Sequence, residues 1–297
     1  MHMKRNSIKQ WKFPIAGSLL ILGLVGCSTL KDPANTTVLL PQQIESIVAS
    51  PDRSAADRTN DLRRKPQAML AFIGIRPGMK ALDISAAGGY TSELLARAVG
   101  PAGAVYGQSA PRVANRVTVA PTAPEGNSHP STPAAIAPAP AAPRRSSPDA
   151  LAEREKSLQA NASRAAHIIA VVQRFDDPAP ADMKTASFDL ATLMFNYHDL
   201  GYQEVDRDKM NRAVYAALKP GGMYVIADHA GRADTGISES GTLHRIEEAF
   251  LVKEVESAGF KLISRGDFLR NPNDPRDKNT PNPPQPKDEF VLKFVRQ

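Results

Sequence analysis

From residue 80 onward, short apolar runs alternate with amphipathic stretches. "KALDI" (80–84), "GAVYGQ" (103–108), "HIIAVV" (167–172), "FDLATLMF" (188–195), "MYVIAD" (223–228), "FKLISR" (260–265) and "EFVLKFV" (289–295) predict seven strands. Between them, "YTSELLARAV" (90–99) predicts a helix stopped by Gly100-Pro101, and Pro148-Asp149 starts another that runs to about residue 163. Met210, Ala213, Val214, Ala217 and Leu218 recur at helical spacing as one apolar stripe, closed by "KPGG" (219–222). A further helix is expected over 243–258, ending at Gly259. Strands separated by helices imply a mostly parallel, doubly wound α/β sheet covered on both faces. The last two strands, with no helix between them, fit an antiparallel pair. In such a sheet the binding crevice lies beyond the strands' carboxyl ends, so chemistry is sought just after each strand.

Two stretches break the rhythm. Residues 110–148 hold nine prolines and many alanines without apolar periodicity, and read as a surface excursion. Residues 271–287 read as a second, proline-stiffened loop. The N-terminus differs again. Lys4, Arg5, Lys9 and Lys12 precede an apolar segment too short for a comfortable membrane span, which ends in Leu24-Val25-Gly26-Cys27. This pattern resembles the bacterial lipobox, in which the cysteine carries lipid and becomes the first residue of the mature chain. The expected organisation is a signal peptide at 1–26, a tether at 27–44 and one domain at 45–297. Cys27 is the only cysteine, so an internal disulfide is excluded and a lipid anchor accounts for it. Ser28, in place of Asp, resembles lipoproteins sorted to an outer membrane where the cell has one. The expected protein is thus exported and membrane-anchored.

Export changes the charge argument. The whole chain is +6, but residues 1–26 hold four Lys/Arg and no Asp/Glu, leaving 33 cations against 31 acids. A nearly neutral mature chain gives no electrostatic case for nucleic acid.

"LDISAAGGYTSELLA" after the first strand, "FDLATLMFNYHDL" around the fourth and "LKPGGMYVIADH" through the fifth resemble class I S-adenosylmethionine-dependent methyltransferases. "SPDRSAADRTNDLRRKP" (50–66), "LHRIEEAF" and "GDFLRNPNDPRDK" further resemble a bacterial subgroup of predicted methyltransferases, many of them exported. The resemblance implies S-adenosylmethionine as cofactor and a small-molecule or surface methyl acceptor. It puts Asp83 at the acidic position ending the first strand, Ser85 and Ala87 at two positions usually held by glycine, and Gly89 at the third. Ser and Ala leave the loop intact if neither needs positive φ; a left-handed conformation at either costs about 1–2 kcal/mol. Gln108 falls where an acidic side chain commonly holds the cofactor ribose, and an amide makes the same bonds without charge assistance. Asp176 and Asp177 are candidates for the adenine amino group, or plain turn carboxylates before Pro178. Asn196 and Tyr197 fall where the family orients the acceptor, and Tyr90 and Phe195 either pack near the cofactor or belong to the core.

Read from their own chemistry, His198 and Asp199 could supply a general base and the carboxylate that orients it. Asp228-His229 repeats the pairing after the fifth strand, and His244-Arg245 opens the next predicted helix. Three readings remain for this group: loop-capping hydrogen bonds, acid/base chemistry on an acceptor, or a metal site that only the fold could gather. Arg53, Arg58, Arg63, Arg64 and Lys65 either form a cationic lid over an anionic substrate or lie on a solvated helix face bridged by Asp57 and Asp61. Three functions therefore stand side by side: methyl transfer with Asn196, His198, Asp199 and His229 on the acceptor side, a non-catalytic ligand-binding lipoprotein on the same fold, or another His/Asp activity in the crevice.

Overall fold

Seven strands form one sheet in the order β3-β2-β1-β4-β5-β7-β6. They are β1 Lys80–Ile84, β2 Ala104–Ser109, β3 His167–Val172, β4 Phe188–Met194, β5 Leu218–His229, β6 Phe260–Gly266 and β7 Glu289–Arg296. The computed structural model describes residues 37–111, 145–161, 163–281 and 285–297. The signal-peptide segment 1–26, Cys27, the first part of the tether and nearly all of the Pro/Ala excursion lie outside the described residues. β1 to β5 pair in parallel, and β7 runs antiparallel between β5 and β6, as the missing helix before it implies.

The alternation along each strand feeds two cores. In β5, Val225 and Ala227 face one side while Tyr224 and Ile226 face the other. The first side is covered by α1 Pro41–Val48, α3 Pro66–Ile73, α4 Tyr90–Val99 and α5 Ser147–Ala160, which contribute residues such as Ile44, Leu70, Leu95 and Leu151. The second is covered by α7 Arg207–Ala217 and α8 Glu248–Ser257 through Met210, Val214, Leu251 and Val255. This is the doubly wound architecture the sequence implies, with the central strands buried on both faces and the edge strands β3 and β6 exposed on one.

Three boundaries differ from expectation. The fold begins before residue 45: the Leu39 N–H donates to the Ile75 carbonyl at 3.1 Å, and α1 sinks Ile44 and Val48 into the core. β5 includes the "KPGG" stop, because Leu218 still pairs with Phe188 before a four-residue irregularity restores register at Met223. α8 starts at Glu248 rather than 243. Residues 244–247 stay out of the helix because Ile246 bridges back to β5, with its N–H on the His229 carbonyl (3.1 Å) and its carbonyl accepting from Gly231 (2.8 Å). Among the described residues, no helix is long and apolar enough to cross a membrane.

α2 Ala55–Arg64 is unusual in what it buries. Ser54 caps it by accepting the Asp57 N–H, and Arg63 and Arg64 lie at its negative end, so the helix is locally well specified. Its inward face, however, carries Asp57, Asp61 and Arg64 at helical spacing, while Leu62 is 83 % exposed. Asp61 pairs with the buried Arg53 at 2.7 and 2.8 Å, and Asp57 pairs with Arg154 of α5 at 2.7 and 2.9 Å. The segment divides between its two readings: Arg58 and Lys65 lie on a solvated face, while Arg53 and Asp57 are buried and paired.

Candidate functional site

The crevice beyond β1, β2, β4 and β5 is built around the turn that follows β1. Ser85, Ala87 and Gly89 have φ of 58°, 47° and 77°, so all three motif positions are left-handed although only one is glycine. Gly89 precedes α4, and an added Cβ there would stand 2.8 Å from both Arg154 and Leu151 of α5. The turn is fastened on three sides. The Ala86 N–H donates to the Gln108 carbonyl (2.9 Å), the Ser85 N–H to Gln108 Oε1 (3.0 Å), and the Ser85 hydroxyl to Asn196 Oδ1 (2.6 Å). Ala87→Gly should therefore raise stability by about 1 kcal/mol, since it removes left-handed strain and no contact. Ser85→Gly should be close to neutral, because it also forfeits the Asn196 bond; urea denaturation of the two variants measures the contrast.

Asp83 is 2 % exposed, and its carboxylate accepts from Ser92 Oγ (2.6 Å) and Thr192 Oγ1 (2.8 Å). It joins α4 to β4 beneath the turn, and so acts on the crevice by positioning. Burial pushes its carboxyl up to about 6, against the two hydroxyls. A carboxyl raised above its ordinary 3.8 contributes its full stability below that pH and loses it as pH rises through 6. Asp83→Asn should accordingly gain on the wild type between about pH 4 and 7, by about 2–3 kcal/mol. Paired urea melts at the two pH values test this, and a difference that stays constant with pH would contradict it.

Gln108 is fully buried and spends its amide on the protein: Oε1 accepts from Ser85, and Nε2 donates to the Gln173 carbonyl at 2.7 Å. The amide expected at the ribose thus clasps together the ends of β1, β2 and β3. Asp176 is also committed, to Arg174 (2.8 and 3.0 Å) and to Lys209 of α7 (3.0 Å); the Arg174 bond leads in holding its carboxyl down to about 2. Tyr197 turns away from the crevice into the second core, where its hydroxyl donates to Glu254 (3.0 Å) and accepts from Asn211 (2.9 Å).

Asn196, His198, Asp199 and His229 lie close together. After β4, Asn196 passes from Ser85 to Asp199, with Nδ2 donating to Asp199 Oδ2 at 2.7 Å. His198 is 3 % exposed and stands between two carboxylates, Nδ1 at 2.6 Å from Asp228 Oδ1 and Nε2 at 3.0 Å from Asp199 Oδ1. Burial alone would lower its pKa, but Asp228 and Asp199 together raise it to about 10. Both ring nitrogens thus face carboxylates, so His198 acts as a general base, as expected from the sequence, only once one of these contacts is given up. Burial would raise Asp199, yet its bonds to His198 and His244 bring it well below the usual carboxylate range. His244 arrives from the β5–α8 connection at φ 51°, with Nδ1 3.0 Å from Asp199 Oδ1. His229, at the end of β5, is 5.3 Å from His198 between ring centroids and has Nδ1 3.1 Å from Glu289 Oε1.

The mouth was only partly legible in the sequence. Phe195 sits at φ 59° directly after β4, and the Arg64 guanidinium lies 4.0 Å from its ring centroid. With Met69, Tyr90, Leu94 and Met194 they line a narrow apolar cleft beside the turn. Tyr90 is fixed by donating its hydroxyl to Asp61 at 2.7 Å. Sequence reasoning missed Ser92, Thr192, Arg154 and Glu289. Ser92 and Thr192 stand inside the first- and fourth-strand stretches without a signal of their own, and only tertiary contact reveals what all four residues hold.

The sequence matches no protein-family model and no curated protein. Solved structures do match. An arsenic(III) S-adenosylmethionine methyltransferase from Chlamydomonas reinhardtii is 12% identical with a TM-score of 0.50, over 87% of this chain and 74% of that one. A SAM-dependent methyltransferase from Aquifex aeolicus is 13% identical with a TM-score of 0.47, over 87% of this chain and all of that one. At such identities the likeness is one of fold: the chain has the Rossmann-like fold of class I methyltransferases.

Proposed function

We propose that the protein transfers a methyl group from S-adenosylmethionine to a small or surface acceptor while tethered to a membrane through lipid on Cys27. The observation that carries this reading is the turn after β1. A chain with no need for backbone to approach a ligand there would relax Ser85 and Ala87; instead both are held left-handed, in step with Gly89. Strain retained at two of the three positions where the fold family cradles its cofactor supports the same use here. The reaction is an in-line displacement at a sulfonium methyl, for which the protein supplies proximity and alignment. Asn196, fixed between Ser85 and Asp199, positions the acceptor. His229, oriented by Glu289, is the group that takes a proton where the acceptor carries one.

One observation favours a second reading, a ligand-binding lipoprotein without turnover. Gln108 is fully buried and gives one bond from each end of its amide to the protein, so the position that commonly holds the ribose presents no exposed polar atom. The leader pattern adds to it, since it directs the chain away from the compartment where S-adenosylmethionine is made. Calorimetric titration with S-adenosylmethionine and S-adenosylhomocysteine separates the two. Micromolar binding of both supports methyl transfer; folded protein that binds neither refutes it and leaves the second reading. The tether has its own test: Cys27→Ser should move the protein out of the membrane fraction.

A further inference from the structure

His198, Asp199 and His244 are brought together from two separate connections, β4–α6 (α6 being Asp199–Tyr202) and β5–α8. Each offers one ligand atom, and these atoms all lie within 4.8 Å of one another. We propose that His198 Nε2, Asp199 Oδ1 and His244 Nδ1 bind a single divalent transition-metal ion of the zinc class.

What distinguishes this cluster from an ordinary knot of hydrogen bonds is the division of labour within each side chain. His198 gives its other nitrogen, Nδ1, to Asp228 at 2.6 Å. That carboxylate is fixed in turn by the backbone N–H groups of His198 and His229, both at 2.8 Å. Asp199 gives its other oxygen to Asn196 Nδ2 at 2.7 Å. The outward atoms are tied down, and the inward atoms meet. Carboxylate-backed imidazole and an amide-backed carboxylate are the supporting contacts that metal ligands require for orientation. His244 completes the set from a strained backbone at φ 51°. Its neighbours hold it there: Ile246 is bridged to β5, and the Arg245 side chain, fully buried, donates to the Ala230 carbonyl at 3.0 Å. The second imidazole is therefore preorganised by residues that do not touch the cluster.

The donor set decides the class of ion. Two imidazoles and one carboxylate suit zinc, cobalt, nickel or iron, whereas calcium and magnesium need a shell of oxygens that these residues do not supply. Three protein ligands leave at least one position open to water or to an acceptor atom. Asn196 connects the cluster to the turn at Ser85, so an acceptor hydroxyl or thiol on that open position lies on the crevice side and is made more acidic by the ion. The binding claim stands without the methyl-transfer reading; only the role given to the acceptor rests on it.

Full-length protein in mild detergent, stripped with chelator and dialysed, is titrated with Zn2+ and separately with Co2+. One ion per chain is expected, with Co2+ giving the visible bands of nitrogen and oxygen ligands. His244→Ala should weaken binding by at least about tenfold, and Asp199→Asn should do the same. Substituting His167, whose side chain is 72% exposed on β3, should leave binding unchanged. Circular dichroism in chelator confirms that each variant is folded, and Asp199→Asn carries the test if His244→Ala is not. Equal affinity in the wild type and a folded cluster variant overturns the proposal. So does the absence of a stoichiometric ion, or a near-ultraviolet thiolate band, which would assign the ion to Cys27. None of these readouts involves S-adenosylmethionine, so failure here and failure of the methyl-transfer reading are separately visible.

Discussion

Asp228→Ala is expected to lose about 3–5 kcal/mol of folding stability, the usual consequence of removing one partner from a buried ionic network. Asp228 is fully buried at the end of β5 and accepts three N–H groups: the His198 backbone (2.8 Å), His198 Nδ1 (2.6 Å) and the His229 backbone (2.8 Å). Alanine leaves all three donors without an acceptor, and leaves His198 with one carboxylate where it had two. Asp228→Asn keeps the shape but turns an NH2 group towards a donor, so it should lose less and still be clearly destabilised. Urea denaturation at neutral pH reads both. If Asp228→Ala loses under 1 kcal/mol at an unchanged m-value, this carboxylate is not the hub the geometry implies.

The second large effect belongs to Arg245. Its side chain is fully buried, pairs with Asp274 at 2.9 Å and donates to the carbonyls of Ala230 and Lys278, each at 3.0 Å. Arg245→Met removes a buried charge, strands Asp274 and unties the long loop after β6 from the end of β5. A loss of about 3–5 kcal/mol is expected. It should be uneven across the molecule. Asp274 also accepts the backbone N–H groups of Arg276 (3.0 Å) and Asp288 (2.7 Å), so these two amides should lose hydrogen-exchange protection before the sheet does. Uniform protection loss across β1, β4 and the loop would show instead that Arg245 supports the whole fold.

These buried ions explain where the sequence could and could not be read. The strands were legible because burial on both faces leaves continuous apolar runs such as "KALDI" and "MYVIAD", and because helix stops stand between them. The absence of a helix before β7 was enough to expect its reversed direction. Pairings between loops were not legible. His198 and Asp199 are neighbours in sequence, as are Asp228 and His229, which suggests two local pairs; the fold keeps the first and adds Asp228 from the adjacent strand to the other side of His198. Gln108 shows the same limit. Its position relative to the turn after β1 was recognisable, but that one end of its amide holds this turn and the other the end of β3 follows only from the approach of Ser85 and Gln173. The left-handed backbone at Ser85 and Ala87 stood as one of two alternatives, because neither residue type announces it. His244 was assigned to a helix start since nothing in "LHRIEEAF" signals the bridge from Ile246 to β5.

The polar inward face of α2 has an energetic corollary. An apolar helix that lifts from its seat must hydrate hydrocarbon, a penalty that added salt does not relieve. α2 instead rests on Asp57 with Arg154, Asp61 with Arg53, and Arg63 with Glu289, and water receives such groups readily. Its attachment behaves as an electrostatic latch. Dissolved ions compete most for the more open of these charges and shorten their reach, so raising the ionic strength favours release of this edge of the crevice.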